Sequence, residues 1–266
     1  MATGPRLRKE QYTTADNFKA RIYLNSKFRT HPYPWPVWLF DQFEKGANNQ
    51  LLELGCGTGL LWRMNAKRVP SSWEITLSDY SEAMIREAQK DLAGSGLNLR
   101  FRVINAEDIN LPDGSFDRVI ANNMLYHLAD RRKALAEMKR VLKNDGIFYA
   151  ATASVRNMAE LKALLKPFHD GPPSQPVLGN FSLENGRAQL EAHFSRIELR
   201  KYDDALEITE AEPIVNYFLS CNSMTEDKVI LKEEQVEEFR RCLKTKLAKE
   251  GKIVVSKDTG LFICRK

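Results

Sequence analysis

The sequence feature that most constrains the fold is the glycine-rich segment ELGCGTG at residues 53–59. The apolar run Gln50–Leu54 ends in this segment and a helical pattern begins after it, so it predicts a tight turn between a strand and a helix. Glycine permits positive φ angles in such a turn and lets a ligand approach the backbone closely. The spacing is G-x-G-x-G, whereas the dinucleotide fingerprint G-x-G-x-x-G would need glycine at Leu60.

Strands and helices alternate on both sides of this turn. We predict a short helix near residues 36–45, then strands at Gln50–Leu54, Trp73–Leu77, Leu97–Ile104, Phe116–Ala121 and Ile147–Ala151, with helices that begin near Ser81 and Asp130 and a helix stop at Asn144–Gly146. Further helices are predicted at Leu183–Phe194, Glu212–Ser220 and Lys232–Lys249, and strands at Ser195–Ile208 and Gly260–Cys264. Strands separated by helices favour a parallel sheet with helices on both faces.

The amino-acid composition argues against several classes of protein. The 266 residues include 40 basic and 35 acidic side chains with both signs interspersed, which allows but does not indicate a nucleic-acid partner. Four cysteines without a C-x-x-C pair and only four histidines argue against a metal site. No apolar run is long enough to span a membrane, and residues 1–17 do not resemble a secretory signal. We therefore expect a cytoplasmic protein with reduced thiols.

An acidic residue after the glycine-rich turn makes a ligand-binding role for the turn a more specific prediction. Asp79 lies 20 residues past Gly59, at the end of the second predicted strand. A carboxylate at that place can accept hydrogen bonds from both hydroxyls of a ribose. The alternative is a plain turn followed by an aspartate that caps a helix.

Residues 50–152 resemble the class I S-adenosylmethionine-dependent methyltransferases in four segments that occur in the family's order. These are LLELGCGTG, LSDYSEAM, NAEDINLPDGSFDRVIANNMLYHL and RVLKNDGIFYA. Together they resemble the small-molecule branch that includes the ubiquinone- and menaquinone-biosynthesis methyltransferases. The resemblance implies a Rossmann-like α/β fold: a seven-stranded, mostly parallel sheet with helices on both faces and a final antiparallel strand. We expect an N-terminal helical lid at residues 1–46 and a methyltransferase domain at 47–266, with its core at 50–152 and a helical insertion at about 210–252.

The resemblance also implies which residues hold S-adenosylmethionine. Gly55, Cys56 and Gly57 would pass under its methionine and ribose portions, Asp79 would bind the ribose hydroxyls, and Tyr80 would flank the adenine. The full set is Glu53, Gly55, Cys56, Gly57, Gly59, Asp79, Tyr80, Asn105, Ala106, Glu107 and Asn122. Asn105 departs from the family, since many relatives have aspartate there, although its amide oxygen can still accept a hydrogen bond from adenine.

Methyl transfer to a hydroxyl or thiol also requires a base. His127 follows the fourth predicted strand and is our candidate, because an imidazole can take up a proton near neutral pH; alternatively, it only shapes the pocket. Candidates for contacts with the acceptor, or for a lid that excludes water, are Tyr12, Arg21, His31, Trp35 and Tyr126. For most of these the alternative is plain packing.

The leading hypothesis is an enzyme that methylates a small molecule. The segment Ala121–Met124 lacks an Asn-Pro-Pro-Tyr pattern, which argues against methylation of exocyclic base amines or glutamine amides. The alternatives are methylation of RNA or protein, which would require a basic stripe beside the cofactor, and a non-catalytic subunit that only binds the cofactor. The sequence leaves open the acceptor, the attacked atom and the oligomeric state.

Overall fold

The computed structural model describes residues 15–46, 49–168, 177–221 and 231–266. These residues form two compact units. The sheet unit comprises residues 33–155, 177–202 and 259–266, and the helical unit comprises residues 15–32, 156–168, 203–221 and 231–258. The boundary at residues 32–33 lies inside the predicted lid segment 1–46, whose role as a lid stays a prediction.

Within the described residues, seven strands form one sheet in the order β3-β2-β1-β4-β5-β7-β6. The strands are β1 (Gln50–Leu54), β2 (Glu74–Asp79), β3 (Leu99–Val103), β4 (Phe116–Asn122), β5 (Leu142–Ala153), β6 (Arg196–Ile208) and β7 (Ile253–Arg265). The first five are parallel to one another, and β7 is antiparallel to β5. The predicted Rossmann-like fold, including its antiparallel last strand, is confirmed.

The helices of the described residues lie before β1 and between most of the strands along the chain. They are α1 (Ala15–Lys27), α2 (Trp35–Asp41), α3 (Leu60–Asn65), α4 (Glu82–Asp91), α5 (Arg131–Val141), α6 (Ala159–Leu164), α7 (Gly186–Glu191), α8 (Ala211–Cys221) and α9 (Val236–Glu250). Short 3₁₀ turns occur at Ala66–Arg68, Leu125–His127, Lys166–Phe168, Val177–Asn180 and Glu233–Gln235. Asp130 and Ser81 cap α5 and α4 through their side chains, as the sequence predicted.

The sheet unit has a buried apolar cluster on each face of the sheet. Val119 and Phe148 belong to one cluster, together with Leu135 of α5. Their chain neighbours Ile120 and Tyr149 belong to the other cluster, together with Phe40 of α2, because successive strand residues point to opposite faces. Helices therefore cover both faces, and the strands are apolar along most of their length.

Several predicted boundaries were wrong. Helix α5 ends at Val141, and β5 already begins at Leu142, so Asn144–Gly146 lies within a strand whose register with β4 is irregular. Strand β7 begins at Ile253 rather than Gly260, and its first residues alternate between buried and exposed positions. Helix α7 is shorter than Leu183–Phe194, because Asn185 Oδ1 accepts the N–H of Ser182 and forms a turn before the helix.

The helical unit has its own core. Leu24 of α1, Ile214 and Phe218 of α8, and Phe239 and Leu243 of α9 are all buried in it. The predicted apolar face of Lys232–Lys249 therefore packs inside this unit. Among the described residues, no helix has the length and hydrophobicity needed to cross a membrane.

Candidate active site

The register of the central strands brings three chain segments to one edge of the sheet. Leu54, near the end of β1, pairs with Ser78 of β2 on one side and with Ala121 of β4 on the other. The glycine-rich turn (residues 55–59) follows β1, and Asp79 and Asn122 are the last residues of β2 and β4. In open parallel sheets, ligands bind at this carboxyl edge.

The glycine-rich turn has a backbone conformation that residues other than glycine rarely adopt. Gly55, Gly57 and Gly59 have φ angles of 73°, 55° and 73°. A Cβ atom on Gly55 would lie 2.9 Å from the Cβ of Met124, in the segment after β4. The turn thus requires glycine both for its φ angles and for its close approach to the neighbouring segment.

Asp79 holds this turn in place. Its Oδ2 accepts the N–H of Gly57 at 3.0 Å, and its Oδ1 accepts the N–H of Ser81 at 2.9 Å. Burial raises the pKa of the carboxyl group, and the backbone N–H bonds oppose that rise. The side-chain cap of α4 is Ser81, whose Oγ accepts the N–H of Met84, so Asp79 is more than a helix cap. Tyr80, next in the chain, is 40% exposed.

Glu53 lies beneath the turn and is 1% exposed. Its Oε2 accepts a hydrogen bond of 2.6 Å from Trp62 Nε1 on α3. Burial, with the negative charge of Asp79 as a smaller contribution, raises the pKa of Glu53 to about 8. The structure thus places Glu53 as a brace between β1 and α3. Cys56 is also buried, which raises the pKa of its thiol well above the ordinary value.

The segment after β3 also reaches this edge, since the N–H of Ile104 donates to the carbonyl of Asp79. Asn105 Oδ1 accepts the N–H of Glu107 at 3.1 Å. Glu107 Oε1 in turn accepts the N–H groups of Ala129 and Asp130. Ala106 is 5% exposed. The side chains of Asn105 and Glu107 therefore order the loops of this region, and their contact with adenine stays a prediction.

The segment after β4 has a strained backbone. Asn123 has a φ angle of 57°, which is uncommon for a residue other than glycine. Its N–H donates to Ala151 of β5, and its Nδ2 donates to Asn122 Oδ1. His127 ends the 3₁₀ turn Leu125–His127, is half-buried, and has its ring centroid 4.5 Å from that of Tyr126. Backbone strain of this kind is often found at functional sites.

The predicted lid residues fall into three groups. Trp35 lies in the sheet unit, where its Nε1 donates to Asn122 Oδ1 at 3.2 Å. Arg21 and His31 belong to the helical unit, where Arg21 donates to the carbonyl of Ser220 and the N–H of His31 donates to Asp204. Tyr12 lies outside the described residues. Sequence reasoning missed the Trp62–Glu53 and Trp35–Asn122 contacts, because no spacing rule links residues 9 or 87 positions apart in these elements.

These residues fit S-adenosylmethionine. The methionine portion of the cofactor must lie close to backbone atoms, and its ribose hydroxyls need a carboxylate acceptor. The glycine-rich turn meets the first requirement and Asp79 meets the second. The described part of the chain contains no group of three or more His, Cys, Asp or Glu side chains that could hold a metal ion.

Comparison with known proteins agrees with this geometry. Residues 52–150 match the family model described as a methyltransferase domain. A ubiquinone/menaquinone biosynthesis C-methyltransferase, UbiE of Bordetella avium, is 36% identical over 112 residues, which cover 42% of this chain and 44% of the relative. A malonyl-[acyl-carrier protein] O-methyltransferase of Geobacter sulfurreducens is 32% identical over 151 residues, which cover 57% and 52%. The chain thus spans about half the length of these relatives.

Solved structures share the fold. The YcgJ protein of Bacillus subtilis has a TM-score of 0.57 and 21% identity, covering 87% of this chain and 98% of that one. A Haemonchus contortus phosphoethanolamine N-methyltransferase 2, in complex with S-adenosyl-L-methionine, has a TM-score of 0.59 and 16% identity, covering 100% and 60%. Residues 52–150 thus form a methyltransferase domain that is similar to that of the UbiE proteins, on a fold that the chain shares with methyltransferases of known structure.

Proposed function

We propose that this chain transfers a methyl group from S-adenosylmethionine to a small organic molecule. The observation that carries the proposal is the glycine-rich turn, held by Asp79 through the N–H of Gly57 at the carboxyl edge of the sheet. The relatives are named for C- and O-methyl transfer to small or carrier-bound molecules, which supports the acceptor class. A cytoplasmic location is part of the proposal.

The proposed cofactor contacts follow the family pattern. Gly55, Cys56 and Gly57 lie against the methionine and ribose, and Asp79 accepts from the ribose hydroxyls. The adenine lies beside Tyr80 and the loop of Asn105, Ala106 and Glu107. The backbone of Asn122 meets the amino group of the cofactor. Glu53 supports the turn by accepting the hydrogen bond from Trp62 on α3. Gly59 supports it as the N-cap residue of α3.

The bound cofactor supplies a methyl group on a sulfonium, and the chain aligns the acceptor for in-line transfer. His127 is proposed to take the proton that leaves a hydroxyl or thiol acceptor. Tyr126, whose ring lies against that of His127, limits the positions of the imidazole. An acceptor with an activated carbon or an unprotonated amine has no need of this base.

Incubation with S-adenosylmethionine labelled in its methyl group tests the proposal. Purified protein is mixed in parallel with a metabolite extract, with total tRNA and with a protein extract. We expect label in the small-molecule fraction, and loss of that label in the Asp79→Ala variant. Label only in tRNA or protein would support the macromolecular alternative. Cofactor binding without transfer in any fraction would support the non-catalytic alternative.

A further inference from the structure

A hydrogen bond from Trp35 fixes the orientation of the Asn122 side chain at the end of β4. Trp35 Nε1 lies 3.2 Å from Asn122 Oδ1. An indole N–H can only donate, so the atom that faces it must be the carboxamide oxygen rather than the nitrogen. Asn123 Nδ2 donates to the same oxygen at 3.1 Å. Two donors thus occupy both lone pairs of Asn122 Oδ1.

The amide nitrogen of Asn122 consequently points away from Trp35 and offers two N–H donors. In the described part of the chain, this nitrogen contacts no acceptor. Asn122 is half-buried. Among those residues, Arg118 Nε is the one side-chain polar atom that is both fully buried and unpaired. The Asn122 nitrogen is unpaired as well, so it must be accessible to solvent. Asn122 therefore presents an oriented donor at the carboxyl edge of the sheet.

Packing around Trp35 holds this arrangement. The indole stacks on Trp38 with ring centroids 5.2 Å apart, and it meets the edge of Tyr202 at 5.3 Å. Tyr202 is 2% exposed and donates its hydroxyl to the carbonyl of Tyr33 at 2.6 Å. Rotation of Trp35 would disrupt this aromatic cluster (Trp35, Trp38 and Tyr202), so its N–H is a fixed donor.

We propose that Asn122 determines acceptor specificity by donating to an oxygen of the methyl acceptor, and that Trp35 is its positioning residue. This inference rests on the proposed function. The acceptor class is an organic molecule with a carbonyl or enolate oxygen near the methylated atom. A protonated amine would place its own N–H donors against the N–H donors of Asn122, with no acceptor between them. It is therefore disfavoured at this position.

Two matched probes test this inference on protein loaded with S-adenosylhomocysteine. 2-Acetylnaphthalene presents a carbonyl oxygen, and 2-(aminomethyl)naphthalene presents a protonated amine on the same ring. Titration calorimetry of the wild type should show tighter binding of the ketone. In Asn122→Asp the carboxylate keeps the bond from Trp35 but offers no donor, so ketone affinity should fall about tenfold and amine affinity should rise.

Trp35→Phe keeps an aromatic ring and removes the fixed N–H. Its ketone affinity should fall about three- to tenfold, with a smaller preference for ketone over amine. Trp38→Phe is the matched control, since Trp38 lies in the same cluster, while the indole bond to Asn122 in the described residues comes from Trp35. It should keep the wild-type preference for the ketone.

The controls separate this inference from the proposed function. Failure of the wild type to bind S-adenosylhomocysteine would contradict the proposed function before any probe is added. With cofactor binding intact, the inference would be overturned by an amine preference in the wild type or by unchanged ketone affinity in Asn122→Asp. A tenfold loss of cofactor affinity in Asn122→Asp would also overturn it, since the amide would then serve the cofactor.

Discussion

Asp79 accepts two backbone N–H groups, one in the glycine-rich turn and one at the start of α4. In Asp79→Asn, the amide nitrogen must face one of these donors, so one bond is lost together with the negative charge. We expect cofactor affinity to fall about ten- to a hundredfold, because a charge-assisted hydrogen bond contributes about 1.5–3 kcal/mol. Calorimetric titration with S-adenosylmethionine measures this loss.

Ser81→Ala is the control for that experiment. It removes the Oγ that caps α4 and leaves the backbone N–H that Asp79 accepts. The free energy of unfolding should fall by about 1 kcal/mol, with cofactor affinity unchanged. Equal affinity of Asp79→Asn and the wild type would show that this carboxylate does not bind the cofactor.

Glu53 makes stability depend on pH. Its pKa rises from 4.5 to about 8 on folding, so the folded protein keeps a proton that the unfolded chain releases between those values. The free energy of unfolding should therefore decrease as pH rises through this window, with a slope of at most about 1.4 kcal/mol per pH unit from this group. Above about pH 8 the contribution of Glu53 should be constant.

Glu53→Gln isolates this effect, because its amide oxygen can still accept from Trp62 without a charge. Urea unfolding between pH 5 and pH 8 should show a weaker pH dependence in Glu53→Gln than in the wild type. Identical slopes in the two proteins would contradict a raised pKa for Glu53. Asp79 is present in both proteins, so its own titration largely cancels in the difference.

His127 belongs to the same scale of single residues. If the acceptor is a hydroxyl or thiol, His127→Gln should lower turnover by about 10²–10⁴-fold, which is the usual contribution of a general base. Tyr126→Phe, which keeps the neighbouring ring, is the matched control and should retain most of the activity. The labelled-methyl assay measures both variants. Near-wild-type turnover in His127→Gln would leave His127 a residue that only shapes the pocket.

At the scale of elements, the glycine-rich turn connects β1 to α3 and touches the segment after β4. Gly55→Ala places a Cβ 2.9 Å from the Cβ of Met124, and neither Cβ can move without its own backbone. Gly94→Ala is a matched control, since Gly94 has the same φ angle of 73° and no atom near its added Cβ.

Gly94→Ala should cost about 1–2 kcal/mol for the positive φ angle alone. Gly55→Ala should cost about 1–3 kcal/mol more, because packed segments must move apart. Urea unfolding measures both variants. Equal losses would show that the turn and the Met124 segment are not in close contact.

The elements also show what sequence patterns can and cannot predict. The turn at residues 55–59 and the cap at Ser81 were predictable, because glycine and N-cap preferences act over a few residues. The start of β5 at Leu142 was not, because pairing with Phe116 of β4 overrides the turn preference of Asn144–Gly146. The contact of Trp35 with Asn122 also depends on tertiary packing and leaves no local signal.

At the scale of the whole molecule, the family match and the glycine-rich turn concern the sheet unit. The helical unit gathers residues 15–32, 156–168, 203–221 and 231–258, which are far apart in the sequence. Such a discontinuous unit could not be delimited from the sequence, because each of its helices has an apolar face that is equally compatible with packing on the sheet. The helical unit can be recognised only in the folded structure, where its helices share a buried core.

We expect S-adenosylmethionine to bind at the glycine-rich turn. Calorimetric titration of the cofactor into Gly57→Val tests it most directly, with Gly96→Val as a control at a similarly positive φ angle in open space. The wild type and Gly96→Val should bind S-adenosylmethionine and its demethylated product, and Gly57→Val should bind both at least about tenfold more weakly while its circular dichroism stays native. Unchanged affinity in a folded Gly57→Val, or no binding by the wild type, would contradict binding of the cofactor at this turn.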